Sequence, residues 1–431
     1  MQTRLPGPQL KRAAARSFLQ ITLFDLSVLL LLVLLLAVEI LDWFFPEDAA
    51  DRTLPQMGRL LVTVWMGGYL VMLLHWRTVR ANPVTVSLLL IAAACTLYFL
   101  FTTDRSKAIS LRFAQHLFPI IGLYAFYCLA VRGALRLALV EKFALLLILL
   151  YAVKILLWLL GNIWIGVPPA FRDAWDPAWR QTAVAYLSYR LVWAFPLLLI
   201  KPSRHPLWLL ALILGIAGVL LAMQRGTVLA LLVVLALYAV QRWRDNPRLR
   251  LRLAGAIVTV ALASAMIVAA NWQAFVLQGQ DFTDPETAGS GRGPLYRYIF
   301  DQWRTADLPH KVFGHGFYSV STLDEYAPIF VPNHAHNDWL QYLHDYGLLG
   351  VALFLYLQIA FVRMLQRMRA ARSPYFLCLL MLYASFVLIT FVDTMMSGVN
   401  SFWLFAFMGL LLGLFQRSLR PAVRDSRLIS A

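Results

Sequence analysis

The stretch Val331-Pro332-Asn333-His334-Ala335-His336-Asn337-Asp338-Trp339-Leu340-Gln341 concentrates side chains that can move protons or hold an anion. His334, His336, Asn337 and Asp338 fall within five residues, shortly before an apolar span that opens at Gly347. A neutral imidazole near pH 7 can take a proton from a hydroxyl, and a charged one can bind phosphate. The same His-x-His pair, joined by His315 or Asp338, has the donor types of a metal site. A third reading is structural: Asn337 or Asp338 caps a helix, and the histidines merely precede it. No Asp-x-Asp pair lies near the histidines, so proton or anion chemistry is preferred, and no metal or other cofactor is expected.

Several arginines sit where a purely structural protein would avoid them. Arg225 lies in Met223-Gln224-Arg225-Gly226, a hairpin between two apolar runs, and Arg190 lies among Tyr186, Tyr189, Leu191 and Trp193. Arg292 follows Gly289-Ser290-Gly291, a backbone able to close around an anion, and Arg297 and Arg304 come after it. Arg180 belongs to an aromatic, basic segment at 162–182. Arginine in or near hydrocarbon is costly and tends to face a polar cavity or an anion, and its fork suits phosphate oxygens. The plainer alternatives are snorkelling of Arg190 to lipid headgroups, hairpin anchoring by Arg225, and a solvated helix face for Arg297 and Arg304.

What must position these groups is a membrane scaffold. Of 431 residues 61% are hydrophobic and only 14% charged, where a soluble domain carries roughly 25% charged residues. Mean hydropathy is +0.68. Apolar runs long enough to cross hydrocarbon as helices recur at about 19–43, 57–76, 83–101, 111–131, 136–161, 183–200, 206–223, 227–241, 251–270, 347–366, 374–393 and 400–415. The fold class expected is therefore an all-α polytopic membrane protein of about twelve transmembrane helices. The first run is too long for a signal peptide and reads as a retained anchor. Cys95, Cys128 and Cys378 all lie in apolar runs and suggest packing, with no disulfide framework.

With the N-terminus placed in the cytoplasm, alternating spans put most of the 38 Lys and Arg on the cytoplasmic side, as the positive-inside rule requires. The net charge of +16 then reports topology, and nucleic acid is not an expected partner. The division expected is a cytoplasmic N-terminus at 1–18, helices 1–9 over 19–270, a large periplasmic helical loop at 271–346, helices 10–12 over 347–415 and a cytoplasmic tail at 416–431. Within the loop, Pro294–Arg304 reads as a helix with proline in its first turn, and Gly314-His315-Gly316 as a turn. Residues 336–346 read as a helix lying on the outer surface that turns at Gly347 into the next span.

In these residues the chain resembles the O-antigen ligase/polymerase family of bacterial envelope glycosyltransferases. The resemblance runs from Arg225-Gly226 through Arg292 and Phe313-Gly314-His315-Gly316-Phe317 to His336-Asn337, Leu340-Gln341 and Gly347-Leu348-Leu349-Gly350, roughly residues 205–395. The hairpin departs from the more usual Ser-Arg-Gly by carrying Gln224, and His334 is an extra imidazole before His336. The resemblance implies a GT-C-like enzyme of the bacterial inner membrane, acting on the periplasmic face among membrane lipids. It would transfer O-antigen glycan from undecaprenyl pyrophosphate to a sugar hydroxyl of lipid A–core, without metal and with inversion. It also implies His336 as general base, with His334 and Asn337 as possible catalytic or orienting neighbours, and Arg225, Arg292, Arg190 and Arg180 as pyrophosphate ligands. An O-antigen polymerase is the nearest alternative. A polyprenyl-linked glycan flippase is a second, disfavoured because the mid-membrane is nearly empty of charge apart from Lys154.

Overall fold

The computed structural model describes residues 23–44, 61–69, 82–102, 107–159, 177–200, 205–222, 224–245, 292–323, 334–396 and 401–419. Of these, 87% are helical and none is in a strand. The labelled helices are α1 (Leu23–Phe44), α2 (Pro83–Phe101), α3 (Lys107–Arg132), α4 (Leu137–Leu159), α5 (Pro177–Ile200), α6 (Pro206–Leu221), α7 (Arg225–Asp245), α8 (Arg292–Thr305), α9 (Leu308–Phe313), α10 (Asp338–Ala370), α11 (Phe376–Thr390) and α12 (Phe402–Ser418). Residues 61–69 are also helical.

Among the described residues, α2, Arg112–Arg132 of α3, Arg225–Arg244 of α7 and α10 are long and apolar enough to cross a membrane. Shorter apolar helices occupy Leu26–Val38, Leu187–Ile200, Pro206–Leu221, Phe376–Thr390 and Phe402–Ser418. The described residues are all-α, and their apolar helices are those of a membrane protein. The expected span at 251–270 and the aromatic segment at 162–176 lie outside the described residues. All three cysteines are free and buried.

Local chemistry sets the helix starts. Asn82 caps α2 by accepting from the Val84 amide at 3.0 Å, with Pro83 in the first turn, where a missing N–H costs nothing. His205 and Pro206 open α6 in the same way. α5 starts at Pro177, ahead of the expected 183, so Arg180 belongs to its first turn; that side chain is outside the described residues.

Two features carry the packing. Every residue of α12 from Phe402 to Phe415 is buried, and its seam with α3 stacks Phe118 on Phe402 at 4.5 Å. There a Cβ on Gly409 would strike the Leu123 carbonyl, so two backbones meet directly. The second feature is the kink in α10, where Gly347 takes φ 62, ψ −153. The 312–316 segment packs into this kink: the His315 amide donates to the His344 carbonyl at 2.9 Å and that of Gly316 to the Asp345 carbonyl at 3.0 Å.

The opening of α10 departs from expectation. It begins at Asp338, and everything from Gln341 to Gly347 is buried instead of lying on the outer surface. Its polar groups are buried because they are satisfied. The Asp345 carboxylate accepts from Gln341 Nε2 (2.7 Å), the Tyr318 amide (3.1 Å) and the Ser319 hydroxyl (3.0 Å), and Ser319 Oγ also lies 2.9 Å from His344 Nδ1.

Candidate active site

The histidine pair is aimed by the residue between them. Ala335 is fully buried in a small cluster with Leu295, Ile299 and Val320, and its amide donates to Gln341 Oε1 at 2.8 Å. With Ala335 turned into that cluster, the rings on either side meet, 4.1 Å between centroids. His336 holds a left-handed backbone (φ 50), a conformation that costs a non-glycine residue roughly 1–2 kcal/mol unless surroundings impose it. Here Tyr296 donates its hydroxyl to the His336 carbonyl at 2.7 Å, and the next residue is already capping a helix.

That cap is Asn337. Its side-chain oxygen accepts from the Leu340 amide (3.1 Å) while its Nδ2 donates to the Phe391 carbonyl (3.1 Å). Asn337 thus steers His336 through the backbone. Asp338, fully buried, accepts from the Met395 and Met396 amides at 2.9 and 3.1 Å. The start of α10 is therefore laced to the segment that follows α11.

This segment brings a residue that sequence reasoning missed. The expected span ended at residue 393, but α11 ends at Thr390 and leaves Asp393 beyond it. Asp393 Oδ1 lies 3.4 Å from His336 Nδ1 and 3.7 Å from His334 Nε2. Its Oδ2 accepts the Tyr189 hydroxyl at 2.9 Å, and Oδ1 accepts the Thr394 amide at 2.8 Å. The three side chains are largely but not wholly buried: 18% of His334, 16% of His336 and 7% of Asp393 remain accessible.

The electrostatics suit a base. Burial lowers the His336 pKa below its ordinary value, nearby His334 and Arg292 lower it further, and Asp393 opposes them. His336 is therefore neutral around pH 7 and able to accept a proton. Burial alone would raise the Asp393 carboxyl, but its hydrogen bonds with His334 and His336, and the charge those rings carry once protonated, outweigh it and hold it well below the usual carboxylate range.

α8 supplies the cation. Leu295 and Ile299, four apart on one face, pack into the Ala335 cluster. Arg292 and Tyr296, also four apart, form the neighbouring stripe that addresses the site. Arg292 donates to the Val392 carbonyl, and its charge reaches both His336 and Tyr296. It opens α8 as that helix's first residue instead of lying in a flexible loop. Burial pushes the Tyr296 phenol up to about 12, so it remains a donor.

The other arginines take different places. Arg225 is the first residue of α7. Gly226 beside it lies where a Cβ would come 3.1 Å from a Val392 methyl and 3.5 Å from the Tyr189 hydroxyl. Arg190 donates to the Tyr151 hydroxyl at 2.8 Å, with its guanidinium 5.3 Å from that ring centre. Arg297 is exposed and Arg304 pairs with Asp301 at 3.1 Å, as a solvated helix face would.

Residues 210–355 match the O-antigen ligase family. The match supports an O-antigen ligase or polymerase type of activity in general, and with it a membrane glycosyltransferase acting on lipid-linked substrates. It runs from within α6 through α7, α8, α9 and both histidines to the first half of α10. Tyr189, Arg190 and Asp393 lie outside it. No curated protein matches the chain.

His334, His336 and Asp393 also offer one ligand atom each, all within 4.8 Å of one another, a set that could hold a metal ion. The sequence alone showed no carboxylate pair beside the histidines; the single carboxylate that joins them comes from the end of a different helix. The only sequence signal for it was an acidic residue at the boundary of an apolar span.

Proposed function

We propose that this protein is an O-antigen ligase, moving a glycan from undecaprenyl pyrophosphate to a sugar hydroxyl of lipid A–core at the periplasmic face of the bacterial inner membrane. The observation that carries the reading is His336, within the stretch that matches the family, held 3.4 Å from the Asp393 carboxylate with the charge of Arg292 close by. His336 takes the proton of the acceptor hydroxyl, whose oxygen attacks the anomeric carbon. The bond from that carbon to the pyrophosphate oxygen breaks on the opposite face, which inverts the centre. Arg292, Arg225 and Arg190, with Arg180 as a further ligand, hold the departing anion, and fixed cations of this kind can replace a metal. His334 shares Asp393 and assists by orienting the pair. The helices form a GT-C-like scaffold with both termini cytoplasmic.

The test is a reconstituted reaction of purified protein, polyprenyl-pyrophosphate-linked glycan and lipid A–core, with EDTA present. Glycan should appear on lipid A–core, and His336→Ala should abolish it while the protein still inserts. Longer glycan remaining on the polyprenyl carrier would make the enzyme a polymerase. Activity lost to EDTA and restored by a divalent cation would turn the His334–His336–Asp393 group into a metal centre.

A further inference from the structure

A hydrogen-bond bridge joins the two halves of the proposed site. Ser188 donates to Gln224 Oε1 at 3.2 Å, and Gln224 Nε2 donates to the Tyr189 oxygen at 2.8 Å. The Tyr189 hydroxyl in turn donates to Asp393 Oδ2 at 2.9 Å. Thr227 closes the near end: its Oγ1 lies 3.1 Å from Ser188 Oγ, whose single proton is shared between it and Gln224, and it donates to the Gln224 carbonyl at 2.9 Å. Ser188, Tyr189 and Thr227 are buried, and the Tyr189 ring stacks on Trp193 at 5.8 Å. Tyr189 and Gln224 each stand immediately before an arginine assigned to the pyrophosphate, Arg190 and Arg225.

We propose that Gln224 and Tyr189 are positioning residues that lock Asp393, and through it His336, in register with the arginines that hold the leaving group. This rests on the ligase reading above. Each bond in the series polarises the next, so the amide strengthens the phenol as a donor to the carboxylate. With Oδ2 fixed by Tyr189, Oδ1 is left facing the histidines. Gln224 is the residue that departs from the more usual serine of the hairpin, and its length makes the bridge: a serine hydroxyl ends well short of Tyr189. Gly226 lets Val392 and Tyr189 approach α7 closely enough for the contact.

The test uses full-length protein in the reconstituted assay, with Tyr189→Phe, Gln224→Ser and Gln224→Glu, each alone and combined with Asp393→Asn. Glutamate matches glutamine in size but accepts where the amide donates, so it should draw the Tyr189 hydroxyl away from Asp393. Each single variant is expected to lower kcat about tenfold and leave KM for the donor within about twofold. In the Asp393→Asn background none should lower it further, because residues acting through one another are not additive. Losses that multiply in that background, an effect on KM alone, or Gln224→Glu behaving as wild type would each overturn the proposal. Tyr189→Phe can fail to fold because its ring is buried, and the two Gln224 variants then decide. No transfer by the wild-type protein sinks the ligase reading. Coupled melting shifts of the same variants would then show the bridge itself intact, separating the two failures.

Discussion

A carboxylate that reaches its histidine from another helix both orients the imidazole and stabilises the imidazolium formed when a proton arrives. Asp393 is so placed, and Asp393→Asn keeps the shape while removing the charge. On the proposed mechanism only neutral His336 is active, so activity falls as pH drops through its pKa. That acid limb should lie below the ordinary histidine value of about 6.5, because burial, with His334 and Arg292 nearby, lowers it. Asp393→Asn should move the limb lower still and reduce the plateau rate by roughly a hundredfold. A pH–rate profile identical to wild type would remove Asp393 from the mechanism. The histidines and Arg292 were legible in the chain because their types and spacing are local. Asp393 was not: in Phe391-Val392-Asp393-Thr394 it reads as the last residue of an apolar span. Hydropathy shows that a helix crosses, and is silent on what its end meets.

Among the elements, α10 depends on its kink. Gly347 has φ 62, and a Cβ there would run into the backbone of Val312 and Gly314. Gly347→Ala is therefore expected to destabilise the protein by about 1–3 kcal/mol and to loosen the 312–316 segment from the helix. Thermal unfolding in detergent measures the loss, and an unchanged midpoint would show that the kink tolerates a side chain. The glycines were visible as punctuation, and the apolar helices as hydropathy. The burial of 341–347 was hidden because periodicity counts polar residues as wet. Gln341, His344 and Asp345 are polar and dry, each partnered within the helix or from Tyr318 and Ser319.

Across the molecule, the ends that build the site lie together. Tyr98 near the end of α2 donates to the Phe313 carbonyl at 2.7 Å, and Arg112 near the start of α3 stands 5.4 Å from the Tyr318 ring centre. The starts of α7 and α10 and the end of α11 join them through Gln224, Asn337 and Asp393. Holding this end in shape falls to the buried α12 and its glycine seam, since helices in lipid associate through close backbone contact. Gly409→Val should force α3 and α12 apart and abolish the monodisperse folded peak in detergent size-exclusion chromatography. A folded, active variant would mean that the seam is dispensable. The seam could not be read from the chain, because a glycine in an apolar run does not reveal its partner.

The place of Asp393 also has a consequence for biosynthesis. The chain emerges from its N-terminus, so both histidines and every proposed arginine are made before the carboxylate that completes them. A nascent protein can already thread α10 into the membrane while its base lacks its partner. On the proposed mechanism the site closes only when the 391–396 segment follows and docks on Asp338, so a chain made as far as α10 carries both histidines and is still inactive.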